Sequence, residues 1–250
     1  MLLIASFILG TIIGSFANVF VLRYGTGRSL NGRSSCSSCS KKLSWYELIP
    51  VLSYLIQGGK CRSCQSRVSP QYIIVELIFG VVFGLCAYTT YDLQPMTEVV
   101  MGHWSSVIEL IYLWIVSFLL LSISVYDIRH MIIPDGMLYV LGAVVLLWNV
   151  VLPAAGFQTV ASFHPDILTS LIAGPLVALP FFLLWLVSHG RWMGFGDIKL
   201  SVVLGWMLGL LGGFSALIFG VWMGAVISLA IIGITRLVSR RTGLTMKSEI

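Results

Sequence analysis

Apolar residues run along this chain in long stretches broken by short polar segments, and each stretch is close to the roughly 20 residues a helix needs to cross a bilayer. They fall at about 2–22, 72–91, 107–126, 133–152, 167–188, 198–211 and 213–235, which predicts seven membrane helices. On the first, Gly10, Gly14, Ser15 and Asn18 share one helical face. Small residues there let another helix approach closely, and Asn18 is read as interhelical glue. The only long polar stretch is 23–71, too short to bury a core without a staple. Between the third and fourth runs, Tyr126 to Asp135 predicts a tight hairpin, with Pro134 where a first helical turn tolerates proline. Ser188–Lys199 joins the fifth and sixth runs, and Leu211-Gly212-Gly213 predicts a sharp turn before the last.

The resulting organisation is a first transmembrane helix at 1–22, a loop domain at 23–71, a helix bundle at 72–236 and a tail at 237–250. The predicted fold is all-α, a polytopic membrane helix bundle with one small polar insertion. Composition agrees: 58% of residues are hydrophobic, 10% are charged and the mean hydropathy is +0.96.

Charge fixes an orientation. If the first helix runs outside to inside, all 15 Lys and Arg fall in inner segments, whereas Asp92, Glu98 and Asp166 lie in outer loops and Glu109 at the outer end of the third run. The positive-inside rule then puts the N-terminus outside and the C-terminus in the cytoplasm. The net charge of +5 reflects this placement and does not indicate nucleic acid. Residues 2–22 lack the basic leading segment of a signal peptide, so they read as an uncleaved helix.

Four of the five cysteines form two pairs, Cys36-Ser-Ser-Cys39 and Cys61-Arg-Ser-Cys64. That pattern suits a zinc ribbon, each pair giving two thiolates to one tetrahedral ion. In a reducing cytoplasm the alternatives, disulfides or redox thiols, are disfavoured. Four cysteine ligands leave no open position, so the expected zinc is structural. Cys86, alone in the second run, reads as a small buried hydrophobe.

Acids beside membrane spans are costly and need a reason. Asp127 closes the third run and Asp197 opens the sixth, within Gly194-Phe195-Gly196-Asp197, both at the predicted inner boundary. Taken singly, Asp197 reads as a helix cap and Asp127 as a partner for Arg129. Taken together they can form a dyad that shares one proton and performs acid–base chemistry on a peptide. Gly194 and Gly196 would let a substrate backbone approach the acid. Asp135 is expected to cap the fourth helix, Glu76 to pair with a nearby base, and Glu47 to be solvated; His130 and His189 are expected at the surface.

Four segments resemble the type IV prepilin peptidases within the GxGD aspartyl protease group. They are Gly14-Ser15-Phe16-Ala17-Asn18-Val19; the double CxxC loop with Trp45-Tyr46-Glu47-Leu48-Ile49-Pro50; Asp127 through Ile133-Pro134-Asp135; and Gly194-Phe195-Gly196-Asp197-Ile198-Lys199-Leu200. The resemblance implies a bacterial inner-membrane enzyme that cuts basic leaders from prepilins or pseudopilins of type IV pili or secretion systems. It assigns the dyad to Asp127 and Asp197. It further implies N-methylation from S-adenosylmethionine, associated with the N-terminal region, though no methyl-donor fingerprint is visible. Two rival classes fit some of the same residues: a proton-coupled transporter using the aspartates as a relay, and a membrane-anchored zinc-ribbon adaptor.

Overall fold

A computed structural model describes residues 1–26, 32, 34–36, 38–91, 103–151 and 167–242. Asp92, Glu98, Asp166, Arg28, Arg33 and Lys247 lie outside the described residues. Long apolar runs with no internal partner for their backbone other than the helix itself form helices, as a bilayer requires. These are α1 (Leu2–Arg23), the short α2 (Leu52–Ile56), α3 (Gln71–Tyr91), α4 (His103–His130), α5 (Asp135–Leu146), α6 (Ile167–Ser188) and α7 (Phe195–Thr242). A 3-10 turn covers Trp45–Leu48, and α5 continues as a π-helical turn over Leu147–Val151. No strand occurs among the described residues, only two isolated bridges, Ser35 with Lys42 and Lys60 with Arg67. The all-α membrane architecture is therefore as the apolar pattern predicts.

Five of these helices are long and apolar enough to cross a membrane, and Asp135–Asn149 is a shorter apolar one. The two spans expected at 198–211 and 213–235 lie in one assigned helix, α7. Its 48 residues would extend about 72 Å if straight, against a hydrocarbon core of about 30 Å. The break comes at Gly209, with φ 75° and ψ −178°, and not at Leu211-Gly212-Gly213 as expected. Only glycine adopts that conformation without strain. Beyond it the chain folds back, since a Cβ at Gly213 would lie 3.2 Å from the Gly205 Cα.

The chain divides into two compact units. The first comprises Met1–Ser162 with Gly194–Asp197, the second Phe163–Met193 with Ile198–Ile250. Within the first, α1 packs along α3 through the predicted small-residue face. A Cβ at Gly10 would lie 2.5 Å from the Phe79 carbonyl oxygen and 2.9 Å from the Gly80 Cα; one at Gly14 would lie 2.9 Å from the Glu76 Cα. Asn18 Nδ2 donates across the same seam to the Tyr72 carbonyl at 3.2 Å. Below the seam, Ala17, Val75, Phe79 and Phe83 are buried together, with Trp114 and Phe118 of α4 against them. Cys86 is half-buried, its Sγ lying 3.6 Å from the Ser117 hydroxyl of α4. In the second unit α6 and α7 meet through Gly174 and Gly205, and Trp206 Nε1 donates to the Leu171 carbonyl at 3.1 Å.

Backbone cannot yield at the Gly10 contact, so we expect Gly10→Val to destabilise the protein by about 1–3 kcal/mol, the usual cost of overpacking. Gly220→Val, where a Cβ meets nothing within 4 Å, is the control. Thermal unfolding in detergent compares them.

Candidate active site and metal-ligand cluster

Asp127 sits in the last turn of α4, one residue before Ile128 and followed by Arg129 and His130. The helix dipole favours cations at that end, and Arg129 and His130 satisfy the preference while Asp127 does not. Helix stability therefore gives no account of the acid. The helix ends because Met131 takes a left-handed conformation, φ 53°, while its N–H bonds the Asp127 carbonyl at 2.6 Å. Pro134, as the N-cap, starts α5. Asp135 was expected to be that cap; it instead occupies the first turn, where an acid complements the dipole.

Asp197 is the third residue of α7 and accepts a hydrogen bond from the Gly194 backbone N–H just before the helix. Such a bond from a first-turn acid back to the preceding N–H fixes the carboxylate's position. Asp197 is half-buried and Asp127 exposed. Both belong to the first unit, and the two carboxyl groups are close enough to interact electrostatically.

Packing explains how the two helix ends are held. A Cβ at Gly196 would lie 3.0 Å from that of Ile133, in the turn after Asp127, so Gly196 serves packing within the chain. Gly194 is exposed and a Cβ there would meet Asp197 Oδ2 at 3.7 Å, leaving its side open. Tyr126 makes an edge contact with Tyr24 at 5.8 Å and a tilted ring contact with His130 at 4.4 Å, while Gly136 lies against the Tyr24 hydroxyl. The end of α1 thus braces the turn that carries Asp127. His130 and His189 are exposed, as expected.

Two hairpin knuckles with matching hydrogen bonds carry the cysteines. Cys36 N–H bonds the Lys41 carbonyl at 3.0 Å and Ser40 N–H the Cys36 carbonyl at 2.9 Å; Cys61 N–H bonds Ser66 at 2.8 Å and Gln65 N–H bonds Cys61 at 2.9 Å. Ser40 and Gln65, each just after a second cysteine, share a left-handed φ of 58° and 57°. Beyond the cysteines the two knuckles share only Ser38 and Ser63, so the repeat is carried by backbone geometry more than by side chains. The four Sγ atoms lie within 4.8 Å of one another, and Cys36 and Cys64 are 3.8 Å apart. A tetrahedral ion with metal–sulfur bonds of about 2.3 Å has sulfur–sulfur edges of roughly 3.8 Å, so the donor set fits zinc.

The thiols differ in acidity. Backbone N–H groups of Cys39 and Ser38, with the Ser66 hydroxyl, lower Cys36 to about 6. The Ser66 hydroxyl likewise lowers Cys64. At Cys39 the Lys41 N–H pulls downward, yet desolvation and the thiols of Cys64, Cys36 and Cys61 together raise it to about 11. In metal-free protein at neutral pH, Cys36 is then thiolate and Cys39 thiol. Iodoacetamide is expected to alkylate Cys36 first, as read by peptide mass mapping, and a bound metal to protect both.

Two further acids depart from expectation. Glu47, expected in solvent, accepts the Ser44 N–H at 2.8 Å and caps the 3-10 turn. Glu76, expected to pair with a base, is buried and accepts the Val51 N–H at 2.8 Å and a bond from the Ser15 hydroxyl. Ser44-Trp45-Tyr46-Glu47 carries the capping-box signature that announces the first partner, whereas no sequence motif announces Val51 as the partner of Glu76.

With this geometry in place, comparisons with known proteins are informative. Residues 8–90 match the bacterial peptidase A24 N-terminal domain, and residues 114–229 match the type IV leader peptidase family. A prepilin leader peptidase/N-methyltransferase of Vibrio cholerae is 31% identical over 81% of this chain and 76% of its own length. The chain belongs to the type IV leader peptidase family. A second relative of the same description, from Bacillus subtilis, is 32% identical over 94% of this chain and 85% of its own length. A third, from Myxococcus xanthus, is 29% identical over 94% of this chain and 65% of its own. No solved structure matches the chain. Family and apolar helices together make this a multi-pass membrane protein.

Proposed function

We propose that this protein is a membrane-embedded aspartyl endopeptidase that removes the leader from type IV prepilins or pseudopilins. The observation that carries the reading is that Asp127 and Asp197, far apart in sequence and held at the ends of two helices, come near enough to interact electrostatically. One carboxylate takes a proton from water as the water oxygen bonds the scissile carbonyl carbon, and the other carboxyl gives its proton to the carbonyl oxygen. The tetrahedral intermediate collapses by C–N cleavage as the first acid returns its proton to the leaving nitrogen and the second regains its own from the intermediate's hydroxyl. Gly194 leaves room for the substrate strand beside Asp197. Cys36, Cys39, Cys61 and Cys64 hold a structural zinc ion that staples the two knuckles of the 23–71 domain to each other.

The distribution of basic residues supports a dyad at the cytoplasmic face of the bacterial inner membrane, where a prepilin's basic leader meets its hydrophobic segment. Names of relatives that include N-methyltransferase activity support a second step, methylation of the new N-terminus by S-adenosylmethionine, to which we assign no residues. Purified protein is incubated with a synthetic prepilin, with and without S-adenosylmethionine, and the product is weighed by mass spectrometry. Loss of the leader in both samples, and one added methyl group only with the donor, is expected. Uncut prepilin with folded protein would overturn the peptidase; a cut but never methylated product would remove only the second step.

A further inference from the structure

The segment between the two cysteine knuckles is apolar where a cytoplasmic loop should be polar. Trp45 and Ile56 are 76% and 83% exposed, and Leu48, Leu52 and Leu55 are exposed as well. So many exposed apolar side chains in one short segment mark a contact with something other than water.

Its depth is set by one buried group. Glu76, only 7% exposed, lies five residues into α3, about 7 Å along the axis from Gln71. Its carboxylate accepts the Val51 N–H at 2.8 Å and the Ser15 hydroxyl of α1. The middle of the segment is therefore moored to the side of two membrane helices, below their ends. At that level the outward side chains of α3 are Ile74, Leu77 and Ile78, all exposed, as lipid-facing residues are.

Val51 itself shows that the mooring is specific. It has φ 62° and ψ −53°, and Leu52 N–H reaches back to the Pro50 carbonyl at 2.6 Å, forming a γ-turn. A β-branched residue is strained in this conformation. The turn aims the Val51 N–H at Glu76, and a polar backbone group at this depth needs such a partner. Lys41, Lys42, Lys60 and Arg62 are exposed on the flanking knuckles, where cations meet anionic headgroups.

We propose that residues 45–56 form an interfacial anchor. Its apolar side chains enter the headgroup–acyl boundary by about 5–10 Å, the basic knuckles rest on anionic headgroups, and Glu76 is the positioning residue that moors it. Only the identity of the leaflet, cytoplasmic, rests on the orientation proposed above.

Full-length protein containing fluorotryptophan is placed in nanodiscs of mixed zwitterionic and anionic phospholipid. Among its 8 tryptophans, the fluorine NMR signal missing from Trp45→Phe identifies Trp45. A lipid bearing a nitroxide near the top of its acyl chain is expected to remove most of that signal, and a water-soluble gadolinium chelate to spare it. Loss to the chelate with survival against the lipid nitroxide would put the strip in water and overturn the proposal. Survival against both would mean that protein covers it, with the same consequence. Glu76→Ala should transfer the signal to the chelate-sensitive state; an unchanged lipid-sensitive signal would refute the mooring role. None of these readouts depends on cleavage, so they stand or fall apart from the peptidase assignment.

Discussion

Asp127→Asn and Asp197→Asn should each insert into the membrane normally and cleave prepilin slower by about 10²–10⁴-fold, the usual contribution of a positioned acid or base. Asparagine keeps the shape and a carbonyl acceptor for the Gly194 N–H but cannot take up or release the proton. Groups that act as a unit lose activity non-additively, so the double variant should be little worse than either single one. Initial rates on a synthetic prepilin, normalised to protein with an intact cysteine alkylation pattern, give the comparison. Independent losses that multiply would mean that the acids serve separate purposes, as two caps would. The helix geometry already weakens that alternative: Asp197 does bond an N–H at its helix start, but Asp127 stands at the end where an acid stabilises nothing.

Loss of the metal should produce the second large effect, on folding. Four thiolates binding zinc contribute roughly 10–16 kcal/mol in small domains, and among the described residues the knuckles are otherwise held by two isolated bridges, a few backbone bonds and a Lys41 Nζ–Ser63 Oγ hydrogen bond at 2.6 Å. Cys61→Ser, at the one buried position of the four, should abolish stoichiometric zinc measured by atomic emission and expose 34–70 to limited proteolysis, leaving the membrane helices intact. Cleavage of prepilin should fall less than in the aspartate variants. The reverse ranking, with an inert Cys61→Ser protein and active aspartate variants, would favour a zinc-ribbon adaptor.

Hydrophobic runs made most of the fold legible, because a bilayer leaves the backbone few options besides the helix. The glycine face of α1 was readable for a similar reason: small residues spaced along one face permit close packing whatever the partner, although only the structure names Phe79, Gly80 and Glu76 as that partner. Cysteine spacing revealed the metal-ligand cluster, since two CxxC pairs have few other uses. Other features depend on contacts between distant residues. The break in α7 falls at Gly209, whereas Gly212 and Gly213 are helical; in a glycine-rich run, tertiary packing selects which glycine leaves the helix. Gly196 suggested room for substrate by its motif, yet its missing side chain is matched by Ile133. Glu76 and Val51 carry no local signal, because the strain at one is offset by a carboxylate on another helix.

Catalysis by the dyad requires the Asp127 and Asp197 side chains to face each other in the folded membrane protein. Asp127→Cys and Asp197→Cys are combined in one chain with Cys86→Ala, the zinc-site thiols being masked by metal, and treated in native membranes with a short bifunctional methanethiosulfonate. A cross-link within one chain, absent from either single cysteine variant and detected as a joined peptide pair by mass spectrometry, is the expected result. Two cysteines that each react with a monofunctional reagent yet never join would contradict it.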